Sequence, residues 1–427
     1  MRFRLLHLHI SKILTKFAQI FNTYFTIMGK KVSEHATWVG KADWQLTKFH
    51  GDELSTHRGS SYNSYLVRDK KTALIDTVWQ PYDKEFVSRL KEEINLADID
   101  YIVMNHNEID HSGALPELMR EIPETPIYCT KQGENILRGH YHQDWNFVNV
   151  HTGDTLSLGD TTLTFIEAPM LHWPDTMFTY LSGDNVLFSN DGFGQHLASE
   201  SLFDDTVAED IILHEAEKYY ANILAPFNAM VKRKLAEISA MNLKIDIIAP
   251  SHGVIWKQTP ALIIDKYSKW CDRYAENQIT IVYDTMWNST RRMAECIAEG
   301  IEEADPKVTV KLFNASKHDK NDILTELFHS KAMLMGCPTI NTGISYAMAG
   351  LLEMLHGLKL QGKKGASFGS YGWAPTGLTA LDNHLVNAGI AKVLPALKAN
   401  WVPDEEAISR CQQFGKEFVE AIRSVNI

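Results

Sequence analysis

The pattern of apolar and polar positions changes character near residue 276. Before that point, short apolar runs end in clusters of polar residues. SYLV and TALIDT on either side of RDKK (63–77) predict a hairpin. YDKEFVSRLKEEI (82–94) brings Phe86, Val87, Leu90 and Ile94 onto one helical face. IDYIVMNH (99–106), TPIYC (125–129), TLTFIEAP (162–169), NVLFSND (185–191) and KIDIIAPSHG (244–253) predict strands. After RYAENQ (273–278), strands and helices alternate strictly. ITIVYD (279–284), VTVKLFN (308–314), KAMLMG (331–336), KGASFGS (364–370) and VLPALKA (393–399) predict strands. Helices are expected from Thr290 to about Glu303, over 322–329, 344–355 and 375–389, and from Asp404 to Val425. Such alternation implies a doubly wound parallel sheet. The chain therefore reads as an extension over 1–28, a β-rich α/β domain over 29–276, and a second α/β domain over 277–427.

Length agrees: 427 residues exceed one ordinary core. A net charge of −11 argues against a nucleic-acid surface. The five cysteines (129, 271, 296, 337 and 411) form no CxxC pair, which excludes a rubredoxin-like or iron–sulfur signature and suits a reducing compartment. Residues 1–27 carry Arg2, Arg4, Lys12 and Lys16 and no acid, but polar residues interrupt the apolar ones, so no membrane span is expected. Three readings stay open: an organelle presequence, a start at Met28, or a real extension. A start at Met28 would give MGKKVS, a myristoylation pattern. The expected location is the cytoplasm, with an organelle as the alternative.

MNHNEIDHSG (104–113) packs His106, Glu108, Asp110 and His111 into six residues directly after an apolar run. In extended backbone, residues two apart point the same way, so three of these can converge. Burying such a cluster without a cation is costly. His172 in LHWPD, Asp191 at the end of NVLFSND and His252 in PSHG recur at strand ends in the same half. Together they point to a metal site. Asp76 in LIDT is either a supporting residue or a turn cap, and His140 and His142 are read as surface.

Through the LIDT strand, the H-x-E-x-D-H cluster, His172, Asp191 and His252, this half resembles the metallo-β-lactamase superfamily. The resemblance implies an αββα fold. It departs from the hydrolases at Glu108, where they carry His. Trading an imidazole for a carboxylate makes the site harder, which favours iron over zinc.

In the second half, TMWNSTRR (285–292) follows ITIVYD and opens a helix. Its hydroxyls and helix N–H groups suit a phosphate, with no Walker lysine. GCPTINTG (336–343) and GSYGWAPTG (369–377) sit at the carboxyl ends of later strands, where this fold binds ligands. Their glycines admit a flat ring, and Tyr371 and Trp373 are placed to stack on it. The three loops together resemble flavodoxin. The resemblance implies FMN held by Thr285, Met286, Trp287, Asn288, Ser289 and Thr290, by Pro338, Thr339, Ile340 and Asn341, and by Ser370, Tyr371, Gly372 and Trp373. GxGxxG is missing after the first strand, which weakens a dinucleotide reading.

The combination resembles the flavodiiron proteins. RGSSYNSYLV, LADIDYIV, LHWPD, VLFSND and YYANIL are similar to the flavorubredoxin core, without its rubredoxin tail. The resemblance implies His106, Glu108 and His172 on one iron, Asp110, His111 and His252 on the other, and Asp191 between them. His111 is the ligand that some members swing away. The implied activity is reduction of O2 to water, of NO to N2O, or both, by electrons passed through FMN to two non-haem irons. A separate donor is implied, a rubredoxin-like protein or a reduced cofactor. So is a head-to-tail homodimer or homotetramer, with no nucleic-acid or membrane partner. Tyr219, Tyr220 and His196 are candidates for groups around the metals. The alternatives are a zinc hydrolase with a fused flavodoxin domain, and an electron carrier whose β-domain is structural.

Overall fold

A computed structural model describes residues 29–360 and 362–424 of the chain. The readings of residues 1–28 lie outside the described residues. The described residues divide into two compact units. One comprises 29–41, 62–165 and 180–184; the other comprises 42–61, 166–179 and 185 onward.

The first unit is built on a seven-stranded sheet. Its strands follow chain order: β1 (Lys30–Lys31), β2 (Ala36–Trp38), β3 (Tyr65–Arg68), β4 (Thr72–Ile75), β5 (Tyr101–Val103), β6 (Ile127–Cys129) and β7 (Phe147–Asn149). The hairpin read at 63–77 is β3–β4, with Leu66 opposite Leu74. From β4 onward the strands run parallel, linked by helices α1 (Asp83–Glu93), α2 (Ile109–Ser112), α3 (Leu115–Glu121) and α4 (Lys131–Tyr141). Phe86, Val87 and Leu90 are the buried face of α1, as the spacing required. Helix α4 buries only Gly133 and Leu137, too thin a stripe for periodicity to reveal. His140 and His142 are exposed at its end. Strand β5 is shorter than the apolar run implied and stops at Val103, so the chain leaves the sheet just before the His106 cluster. A further hairpin joins β8 (Thr155–Ser157) to β9 (Thr162–Glu167).

In the second unit, Met177–Leu181 (β10) is buried throughout the residues it shares with this unit. Strand β11 (Val186–Asn190) runs parallel to β12 (Ile247–Pro250). The crossover between them contains α5 (Glu209–Tyr219), a π-helical turn (Tyr220–Leu224) and α6 (Asn228–Ala240); α7 (Pro260–Trp270) follows β12. The remaining chain forms the expected doubly wound sheet. Its strands are β13 (Glu276–Tyr283), β14 (Thr309–Asn314), β15 (Ser330–Gly336), β16 (Lys364–Tyr371), β17 (Ala391–Lys392) and β18 (Leu397–Asn400). The order is β14-β13-β15-β16, with β17 and β18 both on β16 and every pairing parallel. The stretch read as one strand at 393–399 is split into β17 and β18. Pro395 lies in the gap, and proline has no N–H to give a ladder. Helices α8 (Ser289–Ala304), α9 (Lys320–His329), α10 (Tyr346–Leu358), α11 (Thr376–Asn387) and α12 (Glu405–Ser424) alternate with these strands. Reversal of strand order at β13 opens a crevice at the carboxyl ends of β13 and β15, the usual ligand position in such sheets.

Helices α8 and α12 meet through a reciprocal pair of glycines. A Cβ on Gly300 would lie 2.0 Å from the Gln412 carbonyl oxygen, and one on Gly415 would lie 2.3 Å from that of Ile297. This contact closes the core of Ile297, Ile301, Phe414 and Phe418. Alanine is favoured over glycine in a helix interior by about 0.5–1 kcal/mol. Overpacking a rigid backbone contact costs about 1–3 kcal/mol. Gly300→Ala is therefore expected to destabilise this domain. Thermal unfolding followed by far-UV dichroism checks it, and an unchanged or raised midpoint would mean that the helices can part freely.

Candidate metal and flavin sites

Two strand ends carry the candidate metal residues of the first unit. Asp76 follows β4 at φ 54°, and its carboxylate accepts the Asn105 backbone N–H at 2.7 Å. It is the supporting residue of the two alternatives, because this bond fixes the chain one residue before His106. His106 Nε2 lies 3.5 Å from Glu108 Oε2, and His111 Nε2 lies 3.1 Å from Asp110 Oδ2. His106 and His111 are buried, with ring centroids 5.4 Å apart. Thr77 donates both its N–H (2.8 Å) and its hydroxyl (2.6 Å) to the His111 carbonyl. Ser112 Oγ sits within 3.0 Å of the Asn107 carbonyl, 2.9 Å of the Glu108 carbonyl and 2.8 Å of Tyr141 Oη. Burial pushes the Tyr141 phenol up to about 12, so it stays a neutral hydrogen-bonding group at physiological pH. All four residues of the motif are thus gathered in one loop and the short helix α2 that closes it, held from both sides.

The second unit gathers the other three. Asp191 directly follows β11 and His252 follows β12, two parallel neighbours. Asp191 offers one oxygen to each imidazole: Oδ2 is 3.3 Å from His172 Nε2, and Oδ1 is 3.6 Å from His252 Nε2. Ser251 Oγ donates to Oδ1 at 2.9 Å. His252 Nδ1 lies 2.6 Å from the Ser61 carbonyl, so this nitrogen carries the proton and Nε2 keeps its lone pair for a metal. Gly253 sits at φ 79°, where a Cβ would be 1.8 Å from Gln195 Oε1, so only glycine fits after His252. Nitrogen and carboxylate donors in this mixture suit iron, and a carboxylate between two imidazoles suits a shared ligand of two metals.

His196, Tyr219 and His252 are brought together, with ring centroids 5.0 Å (His196–Tyr219), 5.0 Å (His196–His252) and 6.1 Å (Tyr219–His252) apart. Tyr220 turns elsewhere. Its hydroxyl donates to Asn228 at 2.7 Å, and its ring packs on Tyr267, Trp270 and Phe328. Ser60, Ser61, Phe49, Gln195 and Ser251 support His252 and Asp191, and the sequence reading missed them. RGSS and PSHG are unremarkable as strings, and the long-range fold alone pairs them.

At the flavodoxin-like sheet, Asp284 follows β13 and its carboxylate accepts the Thr285 N–H at 2.8 Å and the Ser316 hydroxyl at 2.9 Å. Thr285 Oγ1 is removed from solvent with no hydrogen-bond partner, the feature an absent phosphate would satisfy. Asn288 precedes α8 at φ 67° and gives it no side-chain cap, unlike Asp319 before α9 and Ser345 before α10. The first N–H groups of α8 are thereby left for an anion. Thr290 Oγ1 and Ser370 Oγ are 3.0 Å apart, tying the first loop to the third. Pro338, Thr339, Ile340 and Asn341 form the second loop, where Thr339 Oγ1 accepts the Gly377 N–H at 3.2 Å. Around the crevice Met286, Trp287 and Trp373 are exposed, Trp373 at 90%. Tyr371 is half-buried, and Gly372 abuts the Trp401 ring. Trp401, itself 62% exposed with its ring centroid 6.4 Å from that of Trp373, is a further aromatic the sequence reading did not single out. These residues fit FMN: a partnerless hydroxyl and an uncapped helix for its phosphate, and exposed aromatics for its ring.

Fold and donor chemistry define a metallo-β-lactamase-like domain joined to a flavodoxin-like domain. Comparison with known proteins agrees. Residues 61–253 match the family described as ODP family beta lactamase, and residues 281–415 match flavodoxin. An anaerobic nitric oxide reductase flavorubredoxin of Escherichia coli O1:K1 is 51% identical over 388 residues, which is 90% of this chain and 81% of that protein. The solved rubredoxin oxygen:oxidoreductase of Desulfovibrio gigas is 33% identical with a TM-score of 0.90, over 93% of this chain and 99% of that one. A flavodiiron protein from Giardia intestinalis is 31% identical with a TM-score of 0.87, over 93% and 97%. This chain belongs to the flavodiiron protein family. The hydrolase alternative is set aside, because the named relatives are reductases and Glu108 replaces the hydrolases' histidine.

Two substitutions test the sites. Asp191→Asn is expected to weaken iron binding by more than about a hundredfold, if the carboxylate held between His172 and His252 is the shared ligand that its geometry suits. Iron quantification after gel filtration reads it, and two irons retained per chain would exclude Asp191 as the shared ligand. Thr285→Val is expected to weaken FMN binding by about ten- to a hundredfold, the worth of a hydrogen bond to a charged group, roughly 1.5–3 kcal/mol. Fluorescence titration of the FMN-free protein checks it; unchanged affinity would place the phosphate elsewhere.

Proposed function

We propose that the chain reduces nitric oxide, dioxygen or both, with electrons passed through FMN to a non-haem di-iron centre. The observation that carries this is Asp191 with a histidine against each carboxylate oxygen. In this reading His106, Glu108 and His172 hold one iron, Asp110, His111 and His252 hold the other, and Asp191 is shared. When bound, FMN supplies two electrons and paired ferrous ions supply two more, enough to take dioxygen to water or to join two molecules of NO as N2O.

The chain's own residues keep that chemistry in place. Ser61 holds His252 in one tautomer, and Ser251 holds Asp191 in one orientation. The bond from Asp76 to Asn105 holds the start of the His106 loop. Thr285, Ser289 and Thr290 bind the FMN phosphate, Met286, Trp287 and Asn288 line its approach, and Trp373 stacks on the ring. The domain boundary is proposed near residue 276. The electron donor is proposed to be a separate rubredoxin-type protein, the class named in the Desulfovibrio relative. A cytoplasmic location is proposed; no helix among the described residues is long and apolar enough to cross a membrane. Trp287 (83% exposed), Tyr346 (87%) and Trp373 (90%) leave a large aromatic rim, which supports assembly of the chain into a dimer or tetramer over this edge.

The deciding experiment reduces iron- and FMN-quantified protein without oxygen and mixes it rapidly with O2 or with NO. Water formed without hydrogen peroxide, or N2O formed from NO, is the expected result. Slow flavin reoxidation with peroxide from O2, and no N2O from NO, would overturn the reading. The same assay across a dilution series is expected to lose turnover as the oligomer separates, and full activity in a monomer would remove the assembly.

A further inference from the structure

Helix α5 and the π-helical turn after it carry a stripe that ordinary packing would make apolar. Glu215, Lys218, Tyr219 and Asn222 fall at spacings of three, four and seven, one side of a helix. Glu215 is 5% exposed and Lys218 6%. Lys218 is matched by an ion pair to Asp322 of α9. Glu215 pairs with Arg58, whose Nε lies 3.2 Å from Oε1 and whose side chain is 48% exposed, and Lys218 and His214 add attraction without an ion pair to it among the described residues. These partners leave the cost of burial uncompensated, because the one ion pair is with a half-solvated cation. Stability alone therefore gives a poor account of an acid here.

Position gives a better one. The stripe lines a small cavity together with His196 and Asn321. Its free volume for water is about 10 Å³, close to the space one molecule needs; most of its exposed wall is apolar, and Glu215, His196, Asn222 and Asn321 supply the polar groups a water there would meet. At one side His196 Nδ1 is 2.9 Å from Ser60 Oγ, and the His196 ring packs 5.0 Å from that of His252. At the other side Glu215 reaches Arg58 and, through it, solvent. Reduction of O2 to two waters consumes four protons with its four electrons, and reduction of two NO to N2O and water consumes two with two. These protons must cross the protein to a buried centre.

We propose that Glu215 is the proton relay of this enzyme, passing protons from the Arg58 side through one cavity water toward the Tyr219–His196 wall of the metal site. The inference rests on the oxidoreductase reading above. Glu215 gives up its proton to the water and regains one from solvent, so no group is consumed. Burial pushes the Glu215 carboxyl above the usual range; Lys218, His214 and Arg58 oppose this, and Asp322 adds to it. A raised carboxyl is protonated nearer neutral pH, as a donor must be, and the supply falls as pH rises through its titration.

The test uses holoenzyme carrying Glu215→Gln, Glu215→Asp or Arg58→Gln. Reduced protein is mixed with O2 and with NO across pH, in H2O and D2O. Glu215→Gln is expected to slow turnover by about tenfold or more, to enlarge the solvent isotope effect and to abolish the alkaline fall in rate, with iron, FMN and the rate of FMN reduction unchanged. Glu215→Asp restores most of the rate, and Arg58→Gln keeps it. A wild-type rate and isotope effect in Glu215→Gln would overturn the relay. Equal slowing in Glu215→Gln and Arg58→Gln would also overturn it and make Glu215 a structural anchor. An independent readout is the infrared carboxyl band assigned by Glu215→Gln or Glu215→Asp and titrated in metal-free protein. It is expected to titrate above the ordinary glutamate range; titration within that range removes the relay even if a variant loses its irons. If wild-type protein makes neither water nor N2O, the functional reading fails, not the relay alone.

Discussion

Asp191 is 1% exposed, and each of its oxygens faces an imidazole nitrogen. A carboxylate withdrawn from water this far costs several kcal/mol unless fixed partners compensate it. Much of the surrounding sequence follows from that constraint. Ser251 must offer a hydroxyl, His252 must show Nε2, and the Ser61 carbonyl must take the proton on Nδ1. Gly253 must be glycine, because the turn that aims His252 runs at positive φ against Gln195. Parallel pairing of β11 and β12 lets residues about sixty apart present donors at one sheet end.

The flavodoxin-like sheet meets a different constraint with the same means. Reversal of strand order splays the loops after β13 and β15, and the chain fills that gap with backbone donors and hydroxyls instead of a lysine. Leaving α8 without a side-chain cap sacrifices about 1 kcal/mol of helix stability, which an anion at the same position recovers. The exposed tryptophans carry a similar cost: Trp287 and Trp373 contribute nothing to the core and are intelligible only as surfaces for a ring or a partner.

The two redox sites also show where polarity inside the fold is functional. Lys363 is buried, yet its ammonium reaches the carbonyls of Tyr274, Phe328 and Ser330, so it ties the end of the connecting segment to β15. That is a satisfied structural charge. Glu215 has a half-solvated ion-pair partner and a water-sized space beside it. The contrast between these two buried groups separates an anchor from a relay more clearly than burial does.

Much of this protein was legible in its residues. Alternation of strand and helix after residue 276 gave the doubly wound sheet, because periodicity and turn chemistry are local. H-x-E-x-D-H announced metal chemistry because no ordinary core or surface rule places four such donors after an apolar run. Against the metallo-β-lactamase resemblance, Glu108 separated it from the hydrolases, because a carboxylate in place of their histidine makes the site harder. What stayed hidden depends on contacts between distant segments. Ser60 and Ser61 meet His196 and His252 across more than a hundred residues, and nothing in RGSSY marks them. Tyr219 and Tyr220 are neighbours in sequence. Helix geometry turns one toward the histidines and the other into the aromatic core, so only the fold could assign them different roles. Composition and spacing chose the candidate donors; tertiary structure chose which atom of His252 is left for a metal, because that is set by hydrogen bonds from elsewhere in the chain.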